Sequence, residues 1–538
     1  MTKTADARAV TAFIANYLDR YRPLHLESSY AWWDANVTGS DAAFGRKARA
    51  EAAIIELQSD RAVFADLVRF RDAGLDDPVL RRQVDVLYRT CLGRQADPAR
   101  QKRIVEIENS IEQTFNTHRS TVDGRSLTEN EVREVLSESR ESRAVEAAWK
   151  SYMAVGAQVA DRVREVVELR NTIARELGYA NYFAMALDLQ EIDADALLRL
   201  FDDLDDLTRS PFAALKAELD TRQAERFGLE PAALRPWHFG DLFFQEAIGE
   251  GESGLDAVFR DRDLIEVARG YYASLGMPVE AVLARSDLYE RDTKSPHAFS
   301  VDLDRAGDVR ILCNLKPSTR WMDTLLHELG HAVYDVHLDA ALPFVLKEAS
   351  SAITTEGIAM MMGSMAKNEE FLVRGLGAAV GEATRLVEAA RRSLAAEKLI
   401  FSRWAQVVVR FEHAMYAGHD GDLGALWWEL KQRYQLLPPP DRIAPDYAAK
   451  VHIAVYPAYY QSYVMGDLFG TQLRRRLADT LGDGTDPAAT CFYDRADAGR
   501  YLRDEVFAPG NRYPWHELTE RCTGAPLSAE AFASLYVT

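Results

Sequence analysis

His327-Glu328-Leu329-Gly330-His331 is the stretch that decides how this chain folds and what chemistry it can support. Residues four apart share one face of an α-helix, so both imidazoles can reach the same metal ion. Glu328 then lies beside the position where an attacking water would sit. Apolar residues around the motif recur with a period near 3.6: Trp321, Leu325, Leu329, Ala332, Val333 and Val336. The spacing predicts a buried helix that offers two metal ligands and a general base. The alternative is an ordinary helix with two surface histidines.

A catalytic zinc ion normally has three protein ligands and one open position, so a third ligand is needed. Glu348 and Glu356 are the candidates downstream of the motif. The serines and threonines in residues 350–355 predict the start of a strongly apolar helix, and Glu356 falls in its first turns. An unpaired carboxylate there would be costly, whereas a metal would compensate its charge. We therefore predict that Glu356 completes a site for one Zn2+, and that Glu348 supports the ligands or lines the substrate cleft.

The composition is that of a globular protein, with 538 residues, 47% of them hydrophobic and 27% charged. A formal net charge of -19 argues against nucleic acid or an anionic membrane as a main partner. No uncharged run is long enough to span a bilayer, and residues 1–8 carry no apolar signal sequence. The four cysteines are scattered, which predicts no structural disulfide and a cytoplasmic location: Cys91, Cys313, Cys491 and Cys522.

Most of the chain has helical spacing. The longest helical stretches are residues 48–72, 129–178, 192–226, 378–416 and 463–481. One region differs, because residues 297–303 and 308–314 alternate apolar and polar side chains around a turn at 304–307. This pattern predicts a β-hairpin just before the metal-binding helix. A strand edge there would offer an extended substrate a backbone to pair with.

A second cluster of polar residues lies between Lys450 and Tyr463. Tyr456, Tyr460 and Tyr463 are spaced so that one helical face would present three phenols. Tyrosine hydroxyls or a histidine can donate hydrogen bonds to a carbonyl oxygen that becomes an oxyanion. The alternative is that these aromatic residues belong to the core. The zinc motif upstream, together with Lys450 and His452, favours the functional interpretation.

These residues resemble the peptidyl-dipeptidase family typified by angiotensin-converting enzyme, and more distantly the thimet-type oligopeptidases. Residues 30–39 look like that family's opening helix, and residues 170–182 are similar to a segment shared by both groups. The resemblance implies a mainly α fold, a two-lobed helical ellipsoid with a deep central cleft, an N-terminal helical lid and a small antiparallel β element beside the zinc helix. It implies one peptidase unit, with the lid and first lobe in residues 1–240 and the zinc-binding catalytic region, completing both lobes, in residues 241–538.

The resemblance also implies a role for each matching residue. The positions that match the family's zinc ligands are His327, His331 and Glu356. Glu328 matches the general base, and His452 and Tyr463 match the pair that stabilises the tetrahedral intermediate. His297 and Ala298 match substrate-binding positions.

The same resemblance implies that three residues bind the free C-terminal carboxylate of a substrate: Gln245, Lys450 and Tyr460. A cation with two neutral donors is what such recognition requires. Tyr459 is the alternative to Tyr460, because the segment aligns with the family only after a one-residue insertion.

The chain departs from the family at two places. Pro296 and Asn314 stand where the secreted members have a cysteine pair. Met360 stands one turn after the third ligand, where those enzymes have an aspartate that supports a zinc histidine.

These interpretations predict a cytoplasmic zinc metallopeptidase, a monomer or homodimer, that hydrolyses short peptides and releases C-terminal dipeptides. One alternative is a related zinc hydrolase acting on a specialised small molecule or modified peptide. The other is a non-catalytic peptide-binding protein on the same scaffold. The intact motif argues against the second alternative, because a protein freed from catalysis has no chemical need for Glu328.

Overall fold

The chain folds almost entirely into helices. The computed structural model describes residues 6–247, 254–481, 486–487 and 489–537. Within these ranges there are twenty-two α-helices and two two-stranded antiparallel sheets, which confirms the predicted mainly α fold.

The helices are, in chain order, α1 (Ala7–Thr38), α2 (Asp41–Ser59), α3 (Arg61–Ala73), α4 (Pro78–Leu92), α5 (Pro98–Thr117), α6 (Glu129–Glu138), α7 (Ser142–Glu176), α8 (Tyr182–Leu189), α9 (Ala194–Phe227), α10 (Leu255–Phe259), α11 (Leu264–Ser274), α12 (Glu280–Leu283), α13 (Thr319–Val336), α14 (Ala352–Gly363), α15 (Glu369–Leu376), α16 (Val380–Tyr416), α17 (Leu423–Gln435), α18 (Val451–Val455), α19 (Tyr460–Leu481), α20 (Ala496–Tyr501), α21 (Trp515–Thr523) and α22 (Glu530–Tyr536). The strands are β1 (Ser120–Val122), β2 (Arg125–Leu127), β3 (Phe299–Asp302) and β4 (Val309–Leu312).

Two of the predicted long helices are interrupted. The stretch 48–72 is helical but contains a break, because Asp60 leaves the helical conformation and its carboxylate caps α3 by accepting from the backbone N–H of Ala62 and Val63. The stretch 129–178 divides in the same way between α6 and α7, with Ser139 in an extended conformation after α6.

The hairpin before the metal-binding helix is confirmed. Strands β3 and β4 pair with Phe299 opposite Leu312 and Asp302 opposite Val309, and both strands pack on α13. The other hairpin, β1 with β2, was not predicted. It turns at Asp123-Gly124, where both residues have positive φ angles. An Asp-Gly pair is a strong hairpin signal, so this turn could have been found in the sequence.

The chain divides into two compact units. Unit 1 comprises Met1–Gln95, Glu252–Ala390 and Met465–Leu527, and unit 2 comprises Ala96–Gly251, Arg391–Val464 and Ser528–Thr538. Helix α13 is in the core of unit 1, where Leu325, Leu326 and Leu329 are fully buried. The core of unit 2 is rich in aromatic residues, including Trp149, Trp404 and Trp427. The division at residue 240, the lid and the cleft stay predictions.

No helix among the described residues combines the length and the apolar character that crossing a bilayer needs.

Candidate metal centre and substrate site

Helix α13 holds both histidines of the motif. Ser318 caps its start by accepting a hydrogen bond from the backbone N–H of Trp321 at 3.2 Å. The rings of His327 and His331 lie one turn apart, with centroids separated by 4.9 Å. Rotation of the helix would expose its buried leucines, so burial fixes the direction in which the imidazoles point.

Glu356 faces both imidazoles from α14. Its Oε2 lies 3.7 Å from Nε2 of His327, and its Oε1 lies 3.9 Å from Nε2 of His331. One ligand atom from each of the three residues lies within 4.8 Å of the others. Ligands of a tetrahedral zinc ion are about 3.4 Å apart at ordinary bond lengths, so the two separations between Glu356 and the histidines are within about 0.5 Å of that value, and the widest separation would have to shorten by up to about 1.4 Å. The three side chains therefore fit a zinc ion.

The close approach of α13 and α14 depends on glycine. A Cβ atom on Gly330 would lie 3.0 Å from Cα of Ala359 and 3.3 Å from Cβ of Met362. A Cβ atom on Gly363 would lie 2.6 Å from a carboxylate oxygen of Asp323. The glycine inside the His-Glu-x-x-His motif thus brings the third ligand within reach of the first two.

The opposite side of α14 lies equally close to α19. A Cβ atom on Gly357 would lie 2.7 Å from the carbonyl oxygen of Gly466, and one on Gly470 would lie 2.5 Å from the carbonyl oxygen of Gly357. Helix α14 is therefore packed tightly between α13 and α19, and the position of Glu356 is fixed from both sides.

Burial shifts the ionisation of the groups around the site. Burial and the neighbouring Glu356 carboxylate raise the pKa of Glu328 to about 8. Burial, followed by the charge of Asp467, raises the pKa of Glu356. Burial and the nearby His327 lower the pKa of His331 to about 3, so this imidazole is neutral at pH 7, as a metal ligand must be. Carboxylates gathered in a buried site favour a divalent cation between them.

Glu348 is engaged elsewhere. Its Oε2 accepts a hydrogen bond from Arg305 at 2.5 Å, and its Oε1 accepts one from Asn511 at 3.1 Å. These contacts explain why Glu356, the residue chosen on the sequence, is the glutamate that faces the histidines.

The predicted substrate-binding pair, His297 and Ala298, immediately precedes β3. Both residues are in unit 1, together with the metal-binding group, and His297 is exposed. The backbone N–H of His297 donates to the hydroxyl of Ser295 at 3.3 Å.

Unit 2 brings the remaining predicted residues together. Nζ of Lys450 donates to Oε1 of Gln245 at 2.9 Å, and the same ammonium lies 5.7 Å from the ring centroid of Tyr460. The ring of Tyr460 lies 5.3 Å from that of His452 and 5.8 Å from that of Tyr463. We call these five residues the tyrosine cluster.

The three predicted phenols do not share one helix. Helix α18 ends at Val455 and α19 begins at Tyr460, so Tyr456 lies in the turn between them and is 50% exposed. That part of the prediction is wrong because Pro457 and Ala458 interrupt the helix. Tyr460 is buried against Lys450, whereas Tyr459, the alternative, is 41% exposed and stacks edge-on with Tyr463.

The turn before α19 has an unusual backbone at Ala458, whose φ is 54°. Glu412 accepts a hydrogen bond from its N–H at 3.2 Å, and Gln190 donates to its carbonyl oxygen at 3.2 Å. A left-handed alanine is strained, and these contacts hold it in place. Burial raises the pKa of Glu412 to about 8. The sequence carried no signal for this arrangement.

Asp241 organises the loop that carries Gln245. Its carboxylate accepts hydrogen bonds from the backbone N–H of Phe243 at 3.2 Å and of Gln245 at 2.8 Å, and from Arg133 at 3.1 Å. Burial lowers the pKa of Lys450 to about 8, and the charge of Asp241 opposes that shift. Asp241 therefore keeps Lys450 more cationic than burial alone would. No local pattern in the sequence pointed to Asp241.

His452 carries an uncharged imidazole in the tyrosine cluster. Burial and the Lys450 charge lower its pKa to about 4. Its buried Nδ1 has no hydrogen-bond partner within the part of the chain that the structure describes. A neutral imidazole with an unused nitrogen can still donate one N–H to a substrate oxygen.

Comparison with known families shows which family the chain belongs to. The sequence profile of the peptidase M2 family, described as angiotensin-converting enzyme, matches residues 4–226 and 256–537. The chain belongs to this family. A search of curated proteins finds no match. The angiotensin-converting enzyme family consists of zinc-dependent metallopeptidases, and the group His327, His331 and Glu356 could hold that metal. The segment between the two matched ranges contains Asp241 and Gln245.

Two residues of α14 near the metal-binding group, Met360 and Thr355, contact different neighbours. Met360 packs against α19, with its methyl carbon 2.8 Å from the place that a Cβ atom on Gly466 would take. Nδ1 of His331 lies instead 2.7 Å from Oγ1 of Thr355, a contact that the sequence analysis missed.

The segments around Pro296 and Asn314 are joined by hydrogen bonds. Nδ2 of Asn314 donates to the carbonyl oxygen of Ser295 at 3.0 Å. The ammonium of Lys294, whose side chain is 0% exposed, donates to the carbonyl oxygen of Cys313 at 2.5 Å and to the carboxylate of Asp287 at 2.8 Å. The carbonyl oxygens of Asp287 and Tyr289 also lie within hydrogen-bond distance, at 3.1 Å and 2.8 Å, so the three N–H groups are shared among four acceptors. We call Lys294, Asn314 and their acceptors the lysine junction.

Proposed function

We propose that this protein hydrolyses short peptides at a zinc centre held by His327, His331 and Glu356. The observation that carries the proposal is the convergence of two imidazole nitrogens and one carboxylate within 4.8 Å of one another. Membership of the angiotensin-converting enzyme family supports it independently. Three ligands with one open position are the arrangement of a catalytic zinc site rather than a structural one.

Glu328 acts as the general base. When bound, zinc polarises the scissile carbonyl and lowers the pKa of the attacking water. The Glu328 carboxylate accepts a proton from that water and passes it to the nitrogen of the leaving amine. The pKa of Glu328 is raised by burial and by Glu356, and a cation held by Glu356 would shift it back toward the ionised form that a base requires.

The tyrosine cluster supplies the remaining roles in this proposal. His452 and Tyr463 donate hydrogen bonds to the oxyanion that develops at the scissile carbonyl. Lys450, with Gln245 and Tyr460, binds the free carboxylate of the substrate. The contact between Lys450 and Gln245 at 2.9 Å supports this, because it holds a cation and an amide side by side in unit 2. Such a site selects peptide C-termini, and we propose that the product is a C-terminal dipeptide.

We also propose short peptides as the partners and the cytoplasm as the location. The four cysteines are free, buried thiols, which suits a reducing compartment.

Substitution Glu328→Gln tests the reaction. The amide keeps the shape of the side chain but cannot accept the proton, so kcat should fall by about 10²- to 10⁴-fold. Zinc content, measured by elemental analysis, should stay at one ion per chain. The control is Glu520→Gln, which changes an exposed glutamate of α21 in the same unit and should leave kcat unchanged. Turnover by Glu328→Gln at the rate of the unsubstituted enzyme would disprove the assignment.

Substitution Lys450→Ala tests whether the protein recognises the free C-terminal carboxylate of a peptide. KM should rise for peptides with a free C-terminus and change little for the same peptides with a C-terminal amide, because only the free carboxylate pairs with the ammonium. Product analysis by mass spectrometry should show release of dipeptides. Lys102→Ala, at an exposed lysine on α5 of unit 2, is the matched control. Equal effects on both peptide forms would indicate an endopeptidase instead.

A further inference from the structure

We propose that Thr355 is a positioning residue for the zinc ligand His331. The proposal rests on the function proposed above and concerns the side of the imidazole that faces away from the metal. Histidine ligands of metals usually donate their second ring nitrogen to an acceptor, which fixes the tautomer and the orientation of the ring. The acceptor is most often a carboxylate, a backbone carbonyl or water. Here it is a threonine hydroxyl.

The geometry separates the two nitrogens of His331 clearly. Nε2 faces Oε1 of Glu356 at 3.9 Å, and Nδ1 lies 2.7 Å from Oγ1 of Thr355. With the metal on Nε2, Nδ1 carries the proton and donates it to the threonine oxygen. The metal on Nε2 thus selects the tautomer, and the hydroxyl accepts from its Nδ1–H and fixes the orientation of the ring.

The chain position of Thr355 gives this contact a second effect. Thr355 directly precedes Glu356 on α14, so one helix supplies both the third ligand and the support for the second. Any movement of α14 that displaced the Glu356 carboxylate would also displace the acceptor of His331. The two ligands are thus aligned by the same element, which is packed between α13 and α19 through glycines.

A neutral acceptor also limits the negative charge around the centre. Glu328, Glu356 and Asp467 already interact electrostatically, since Glu356 raises the pKa of Glu328 and Asp467 raises that of Glu356. A hydroxyl orients the imidazole without adding another carboxylate. Met360, one turn further along α14, could offer only a weak thioether acceptor.

Thr354 provides a matched control on the same turn of helix. It is fully buried, and its hydroxyl donates to the carbonyl oxygen of Ser351 at 2.9 Å and contacts the hydroxyl of Ser350 at 3.3 Å. Its substitution removes a threonine hydroxyl from α14 without touching the contact of His331.

The test measures zinc affinity by chelator competition in the full-length protein. Thr355→Val and Thr355→Ala remove the hydroxyl and should weaken zinc binding by about 10- to 100-fold, while Thr355→Ser should restore the affinity of the unsubstituted protein. A second readout is the visible absorption of the Co2+-substituted protein, which reports ligand geometry. Its bands should shift in the two hydroxyl-free variants and return in Thr355→Ser. Thr354→Val should change neither measurement.

Unchanged affinity and spectrum in Thr355→Val and Thr355→Ala would overturn the proposal and leave the zinc centre standing. Equal weakening by Thr355→Ser, or by Thr354→Val, would also overturn it, because the effect would then not depend on that hydroxyl. If the unsubstituted protein bound no zinc at all, the proposed function itself would be wrong, and this inference with it.

Discussion

Glu412 shows at the scale of a single residue how burial links ionisation to stability. Burial raises its pKa to about 8, against an ordinary value of 4.5, while the Ala458 N–H and the charge of Arg170 oppose the shift. Between these values the unfolded chain loses the proton and the folded chain keeps it. The free energy of unfolding therefore falls as pH rises through this window, and the contribution is fully present only below about 4.5.

We predict that Glu412→Gln loses less stability than the unsubstituted protein between about pH 5 and about pH 8. Glutamine does not ionise, and its amide oxygen can still accept from the Ala458 N–H, so the turn before α19 is kept. Urea unfolding midpoints at both pH values provide the measurement. Glu388→Gln, at an exposed position of the same helix α16, should behave as the unsubstituted protein does. A pH dependence in Glu412→Gln as steep as before would show that this carboxyl ionises freely.

The role of a single residue could be predicted where its partners lie near it in the sequence. His327, Glu328 and His331 share one helical turn, and Glu356 stands in the first turns of a helix whose start is visible in the sequence. Thr355 and Asp241 could not be found in this way. Their hydroxyl and carboxylate act on partners that only the tertiary fold brings near, His331 and Arg133.

At the scale of elements, the crossing of α13 and α14 determines how close Glu356 lies to His327 and His331. A methyl group on Gly330 would contact Cα of Ala359 at 3.0 Å, a backbone atom that cannot move alone. We predict that Gly330→Ala pushes the helices apart, lowers the free energy of unfolding by about 1–3 kcal/mol and weakens zinc binding. Thermal unfolding and chelator competition would measure the two effects.

Gly381→Ala is the control for that substitution. Gly381 lies near the start of α16, and a Cβ atom there meets nothing within 4 Å. Alanine is the better helix former, so this variant should be unchanged or more stable by up to about 1 kcal/mol. Should Gly330→Ala match it in both stability and zinc affinity, the close approach would not be what positions Glu356.

Helical periodicity predicted the long helices well, and their interruptions less well. The spacing of apolar residues does not reveal a break between two helices when both helices face the same core. Asp60, between α2 and α3, is such a break. Tyr456 failed for a related reason, since its spacing to Tyr460 suits a helix but Pro457 and the left-handed Ala458 come between. Strand and turn signals near residue 300 were local and therefore sufficient.

At the scale of the whole molecule, the protein carries no cross-link in the part of the chain that the structure describes. All four cysteines are free and buried, and burial raises the pKa of each thiol. We predict that dithiothreitol leaves the thermal unfolding midpoint of the apo protein unchanged. Measurement without added zinc avoids the effect of the thiol on the metal. A lower midpoint under reducing conditions would reveal a disulfide.

The lysine junction has a consequence for how the molecule recovers after unfolding. A covalent bridge has to be made by an oxidant, and during refolding it can join the wrong partners. The hydrogen bonds of the Lys294 ammonium and of Asn314 need no oxidant. They form again whenever residues 287–295 and 313–314 come together. The region before the metal-binding helix can therefore fold without an oxidising partner.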